Sequence, residues 1–302
     1  MGSGRLCWSH GPRLQRTHPR TVERRGGTPA TARGRPRGGR LRPRRTRDRR
    51  GGAPFALITN RLGAVAALEE RLDSRIGLHA RNVGTGATLA HRADDREAMC
   101  STFKALAAAT VLRRGIDLDR VVRYSTSDLV EYSPITGERR RMTVGELCDA
   151  AIRYSDNTAG NLLLGLIGGP RGLTRDLRRL GDRVTRLDRW ETELNTAIPG
   201  DPRDTSTPRA LATTYRRLTL GDGLTGTDRW ALRGWLEANT TSVKTFRAGL
   251  PQGWWSADKT GSGSYGVTNC AGLVSAPDGT QIVFAALTRL SALDGTRIVS
   301  VV

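Results

Sequence analysis

Apolar positions along the chain change period twice, and the changes outline its elements. Phe55, Ile58, Leu62, Val65, Leu68 and Leu72 recur every three or four residues, which predicts an amphipathic helix over 54–73. The period then drops to two. Ile76–Asn82 and Ala87–His91 alternate around Gly84, Thr85 and Gly86, the pattern of a β-hairpin. A long helical section follows. The alanine-rich run after Ser101 predicts a buried helix ending near Gly115. Thr143 and Glu146 have the spacing of a capping box, opening a helix that runs to about Tyr154. Asn161–Ile167 predicts an apolar helix stopped by Gly168 and Gly169, with Pro170 starting the next. Residues 189–206 break the pattern with Pro, Gly and Asp, and loops of that length in a compact domain usually carry function. Helices resume at Pro208 and over 228–238. Alternation returns in Trp254–Thr260, Val267–Ser275 and Gln281–Thr288, with Pro277, Asp278 and Gly279 as a turn.

Strands at both ends and helices between them predict an α/β (α+β) fold. The first and last strands would join in one antiparallel sheet flanked by helices. The helical block would form an inserted all-helical lobe, with a site in the cleft between the lobes. The expected boundaries are an α/β lobe of 53–92 and 228–302 and a helical lobe of 93–227. Together these make one domain, 53–302.

Charge sets the first 52 residues apart. The chain has a net charge of +20. Residues 1–52 hold 16 Arg and 2 acids, so they contribute most of it. That arm has almost no apolar content and is expected to be disordered and dispensable for folding. Arginine-rich arms can bind nucleic acid, but GC-rich coding bias or a misassigned start is the preferred reading. No apolar stretch precedes residue 53 that could serve as a secretory signal. Arg49 and Arg50 hint at a twin-arginine signal, which Asn60 and Arg61 interrupt. No run approaches the roughly 18 apolar residues a membrane helix needs. Cys7, Cys100, Cys148 and Cys270 are scattered, as are the four histidines. That spacing offers no zinc motif and no histidine triad, so neither a metal nor another cofactor is expected.

The candidate chemistry begins at Ser101-Thr102-Phe103-Lys104. Residues three apart on a helix share a face. A serine needs a proton acceptor nearby to become a nucleophile. A lysine can serve if its surroundings lower its pKa. Alone, the tetrapeptide reads as a capped helix with a surface lysine. Composition changes that, because only 3 of the 49 basic residues are Lys (Lys104, Lys244 and Lys259). Arginine, the default cation here, cannot give up its proton. Ser155-Asp156-Asn157 alone would be an ordinary helix N-cap. Lys259-Thr260-Gly261 alone would be a strand end. Glu191 and Asn195 lie in the long loop, whose neck Arg189 and Asp204 could close as an ion pair.

In this order, S-x-x-K, S-D-N and K-T-G form a set shared by class A β-lactamases and penicillin-binding proteins. The chain strongly resembles a class A serine β-lactamase over about residues 53–290. The resemblance includes Val130–Pro134, Met142–Val144, Ser155–Leu164, Arg189–Thr205 and Asp258–Gly261. It implies that Ser101 attacks the β-lactam carbonyl and that Lys104 helps remove its proton. Ser155 would relay a proton to the leaving nitrogen, and Asn157 would bind the substrate side chain. Glu191 with Asn195 would activate the water that hydrolyses the acyl-enzyme. Lys259 and Thr260 of the K-T-G strand would bind the substrate carboxylate. Gly261 would leave room beside that strand, and the backbone of Ser101 and Ser262 would form the oxyanion hole. Tyr132 would wall the cleft. A cis peptide after Glu191 is also implied.

The chain departs from that pattern in places. Many relatives carry an arginine for the substrate carboxylate about where Thr268 stands; Lys244 or Arg247 is a candidate substitute. Ala108 and Gly263 occupy the positions where relatives hold partners for Cys148 and Cys100, so these cysteines are expected to stay unpaired. The family ends in a helix, and the dozen residues after the last strand pattern poorly as one. The implied activity is hydrolysis of β-lactam antibiotics by a monomer without cofactor, exported to the periplasm or secreted. The alternatives are a penicillin-binding D,D-peptidase, which needs no loop glutamate, and an inactive or anion-binding protein.

Overall fold

A computed structural model describes residues 53–291, with side chains from residue 63 onward. The chain divides into two units at Arg49, and the described residues belong to the second. The arm, Cys7 and the stretch after the last strand lie outside the described residues.

Helix α1 (Ala53–Leu72) leads into strands β1 (Ser74–Asn82) and β2 (Thr88–His91), which pair antiparallel as the alternation predicts. A two-residue strand β3 (Glu97–Ala98) precedes a 3₁₀ turn, Cys100–Thr102, and helix α2 (Phe103–Arg113). Short strands β4 (Val121–Arg123) and β5 (Arg141–Thr143) pair with each other before helix α3 (Val144–Arg153). The predicted capping box is formed: Thr143 Oγ1 accepts from Glu146 N and the Glu146 carboxylate accepts from Thr143 N. Helices α4 (Asn157–Leu166) and α5 (Gly169–Arg179) follow, then β6 (Thr205–Ser206), which pairs with β3. Helices α6 (Pro208–Thr219) and α7 (Gly226–Glu237) lead to β7 (Trp255–Gly263), β8 (Val267–Ser275) and β9 (Gln281–Leu290).

The first and last strands do form one sheet, in the order β2-β1-β9-β8-β7, with antiparallel neighbours. This topology leaves β7 at an edge. Helix α2 is buried on almost every side, which suits a run with no polar face. Its alanines let α3, α4, α5 and α7 approach closely. The expected helical lobe, 93–227, is not uniform. Helix α6 lies inside that range but packs on β1, β8 and β9. Gly77 is the contact point, since a Cβ there would come within 2.8 Å of Pro208.

One expected element limit needs correction, and several short strands are new. Helix α4 starts at Asn157, not Asn161. Asp156 is its N-cap and accepts from Ala159 N at 2.8 Å. The polar start of this helix hides its period, which only the apolar half displays. Strands β3, β4, β5 and β6 went unanticipated because two or three residues are too short to show alternation; β6 lies inside the stretch 189–206 expected to be irregular.

Candidate active site

Ser101 sits in the 3₁₀ turn rather than in α2 itself. The preceding residue, Cys100, has φ +45°, a region L-residues seldom occupy, and this turns the serine out of the helix. The turn is clamped from two sides. Beneath it, the fully buried Tyr215 hydroxyl donates to Thr102 O at 2.9 Å. Beside it, β7 passes so closely that a Cβ on Gly261 would lie 2.7 Å from Met99 O and 3.1 Å from Ser101 N. Only glycine allows this approach of two backbones.

Lys104 lies one turn on, fully buried. Its ammonium is within 2.9 Å of Ser101 Oγ, 2.7 Å of Ser155 O, 2.5 Å of Asn157 Oδ1 and 3.0 Å of Glu191 Oε1. An ammonium has three protons, so these four acceptors cannot all be served at once. Burial lowers the Lys104 pKa, opposed by the charge of Glu191. Gly160 on α4 makes room for this chain, because a Cβ there would be 2.9 Å from Lys104 Cε.

Glu191 reaches the same point from the long loop. Its Oε1 accepts from Ser101 Oγ at 3.3 Å, and its Oε2 accepts from Asn195 Nδ2 at 2.5 Å. The loop is pinned at its neck, where Arg189 Nε donates to Asp204 Oδ2 at 2.6 Å. Arg189 also donates to Thr196 Oγ1 at 2.8 Å. Thus the expected ion pair forms and braces the loop from within. The Glu191–Thr192 peptide is cis. Asn195 Oδ1 has no partner among the described residues, which leaves a buried acceptor beside the carboxylate.

The third wall joins α4 to the sheet edge. Lys259, also fully buried, donates to Ser155 Oγ at 3.1 Å and Thr260 O at 2.9 Å. Burial, followed by repulsion from Lys104, pushes its pKa down to about 7. Ser155 has φ +59°, as does Tyr132, so both depend on their surroundings to hold an unfavourable backbone. Asp156 supplies that support. It is fully buried and accepts from Ile135 N, Thr136 N and Thr136 Oγ1, tying the Tyr132 loop to α4. Asn157 Nδ2 donates to Glu131 O at 2.8 Å, which fixes its Oδ1 toward Lys104.

These walls enclose a cleft of about 830 Å³. Every expected site residue lines it except Lys104, Glu191 and Lys259, which are buried behind its surface. Tyr132 stands at its rim, 59% exposed. No group of three or more potential metal ligands occurs among the described residues.

Neither of the two candidate cations lines the cleft. Arg247 is committed elsewhere: Nε donates to Asp258 Oδ2 at 2.8 Å and the other nitrogens cap the carbonyls of Glu237 and Leu236. Lys244 is exposed and does not line the cleft. Cys100, Cys148 and Cys270 are free and buried, as expected.

The sequence reading missed Asn161. Its amide accepts from Glu191 N and donates to Glu191 O, both at 2.9 Å, so it holds the glutamate's backbone from α4. An asparagine four residues after Asn157, in an otherwise apolar helix, was the available signal. Gly160 was missed too, because nothing local reveals which side chain a helical glycine accommodates.

Comparison with known proteins agrees with this geometry. Residues 59–300 match the model of a family described as "Beta-lactamase enzyme family". The chain is 52% identical over 236 residues to "Beta-lactamase AST-1" of Nocardia asteroides, covering 76% of each chain. It is 51% identical to "Beta-lactamase FAR-1" of Nocardia farcinica, covering 74% of each. Among solved structures, the β-lactamase from Streptomyces albus G is 46% identical with a TM-score of 0.76, over 79% of this chain and 93% of that one.

Proposed function

The chain belongs to the β-lactamase enzyme family as a class A serine β-lactamase, and from that premise we propose how its residues divide the work. It hydrolyses the cyclic amide of β-lactam antibiotics, the activity that confers resistance to them.

Ser101 Oγ bonds to the lactam carbonyl carbon. Its proton passes to the Lys104–Glu191 pair, both within 3.3 Å of the oxygen. Either member becomes a competent acceptor once the proton has somewhere to go. Backbone N–H groups of Ser101 and Ser262 receive the oxyanion, worth a few kcal/mol in such sites. The C–N bond then breaks, and the nitrogen takes a proton from Ser155, held by Lys259 at 3.1 Å. Ser155 regains a proton from the Lys104–Glu191 pair, so the proton that left Ser101 is relayed to the nitrogen and the pair returns to its starting state. In the second half, Glu191 takes a proton from a water that attacks the ester. Asn195 Oδ1, free of any partner among the described residues, would accept a hydrogen bond from that water's other O–H. Ser101 Oγ leaves with a proton returned from the pair. Asn157 orients the substrate side chain, and Lys259 and Thr260 face its carboxylate. Tyr132 forms one wall. We further propose an exported monomer. Among the described residues no helix is long and apolar enough to cross a membrane.

The observation that carries this reading is the contact of Ser101, Lys104 and Glu191 at one point, with Asn195 on the free oxygen of Glu191. The test is Glu191→Ala. Deacylation should slow far more than acylation, and mass spectrometry should find a stable penicillin adduct on Ser101. Parent-like turnover by the variant would remove Glu191 from the role of base. A long-lived adduct on the parent would favour the penicillin-binding alternative.

A further inference from the structure

We propose that Thr241 is a positioning residue for the substrate carboxylate, acting through Thr260 at the end of a hydrogen-bond chain that begins at Arg247. This rests on the reading above that Thr260 faces the carboxylate.

Among the described residues no arginine lines the cleft. Lys104 is already matched by Glu191 at 3.0 Å. An anionic group must therefore rely on Lys259 and on hydroxyl donors. How those hydroxyls point becomes decisive, since each has a single proton.

In the free site the hydrogen-bond chain sets the direction of each bond. Asp258 is fully buried and accepts from Arg247 Nε at 2.8 Å, Ser256 Oγ at 2.6 Å and Asn239 Nδ2 at 2.8 Å. With its amide nitrogen facing a carboxylate, Asn239 must present Oδ1 on the other side. Thr241 Oγ1 donates to that oxygen at 2.8 Å. The Thr241 proton is then in use. In its 2.5 Å contact with Thr260 Oγ1, Thr241 can only accept. In the free site, therefore, the Thr260 proton points toward Thr241, and Thr260 offers lone pairs to the cleft.

A carboxylate has only lone pairs to offer in return. To bind it, the Thr260 proton must swing into the cleft. Two oxygens 2.5 Å apart still need a proton between them, and Thr241 supplies it by turning its own hydroxyl toward Thr260. Asn239 Oδ1 is not orphaned, because Thr241 N–H already donates to it at 3.1 Å. The row then runs from Thr241 to Thr260 to the carboxylate, each hydroxyl polarising the next. Arg247 never touches the ligand. It anchors Asp258, which anchors Asn239, which sets Thr241.

The test compares two ligands on the full chain: a penicillin, and the same penicillin with its carboxylate converted to a primary carboxamide. The carboxamide can donate N–H to Thr260 without any reversal. Thr241→Ala should raise KM for the acid by roughly fivefold to tenfold, the upper end expected for a hydrogen bond between neutral groups. The change in kcat should be smaller, and KM for the amide should move less than about twofold. Thr241→Ser should restore the acid KM, and thermal melting checks that each variant folds. A Thr241→Ala enzyme whose acid KM stays within twofold, or whose acid and amide KM rise equally, overturns the proposal. Thr260→Ala separates the two levels. If it leaves the acid-to-amide ratio unchanged, the role given to Thr260 fails and the proposal falls with it. If it moves the ratio and Thr241→Ala does not, only Thr241 is wrong.

Discussion

The two faces of the cleft each bury a lysine completely, and they hold it in different ways. On the helical face, Lys104 meets four acceptors, one of them the carboxylate of Glu191. On the sheet edge, Lys259 meets only a hydroxyl and a carbonyl. Burial lowers both pKa values, but only Lys104 has a direct carboxylate contact to offset it. The contrast separates two tasks. A balanced pair exchanges protons with little net change in charge. An unbalanced cation is unstable alone and gains most when an anion arrives.

Lys104→Arg should separate the two lysines by the largest margin. Charge and approximate reach survive, but the ability to release a proton does not. Acylation, followed by pre-steady-state mixing, should slow by at least about 100-fold. A near-normal rate would mean that Lys104 acts only as a charge, leaving the two faces alike.

The pH dependence tests the other face. Lys259 has its pKa near 7, so its charge is lost as pH rises through 7. KM for an anionic penicillin should then rise by up to about tenfold per pH unit above that point. The same shift has a stability consequence. Between pH 7 and 10.5 the unfolded chain keeps this proton and the folded one does not, so stability from this group increases with pH. Below pH 7 both states are charged, and the burial cost is present in full. Lys259→Met should therefore stabilise the protein most at pH 6, with the advantage shrinking toward pH 10. Denaturant titrations at both pH values measure this. An advantage that does not change with pH would contradict the account.

A smaller effect should come from Gly160→Ala. The new methyl must displace Lys104 Cε, now 2.9 Å from where it would stand. Overpacking of this kind costs about 1–3 kcal/mol. Acylation should slow while the Lys259-dependent pH profile of KM stays in place. A loss confined to stability would show that the lysine has room to move.

The smallest change is expected at the cysteines. Cys100, Cys148 and Cys270 are free and buried. Peptide mapping without reductant should recover all three as unpaired thiols, and adding reductant should leave activity unchanged. A disulfide among them would contradict the structure.

Residue order alone reveals what lies within a turn or along one strand. Ser101 and Lys104 are three residues apart, so their spacing already puts them on one face. Thr143 and Glu146 form their capping box because both partners sit on the same few residues of backbone. Period-two runs located β7, β8 and β9, because alternation follows from the geometry of a single strand. The order of the motifs then identified the family and its expected roles. Contacts between distant segments came only with the folded chain. Glu191 reaches Ser101 across 90 residues, and Lys259 reaches Ser155 across 104. Asn161 became a clamp only because the loop passes over α4. Arg247 looked like a free cation until Asp258 was placed against it, and Thr241 had no sequence signal at all. Residue spacing fixes distances only where one regular element joins the two ends; elsewhere sheet register, loop closure and helix packing set them together.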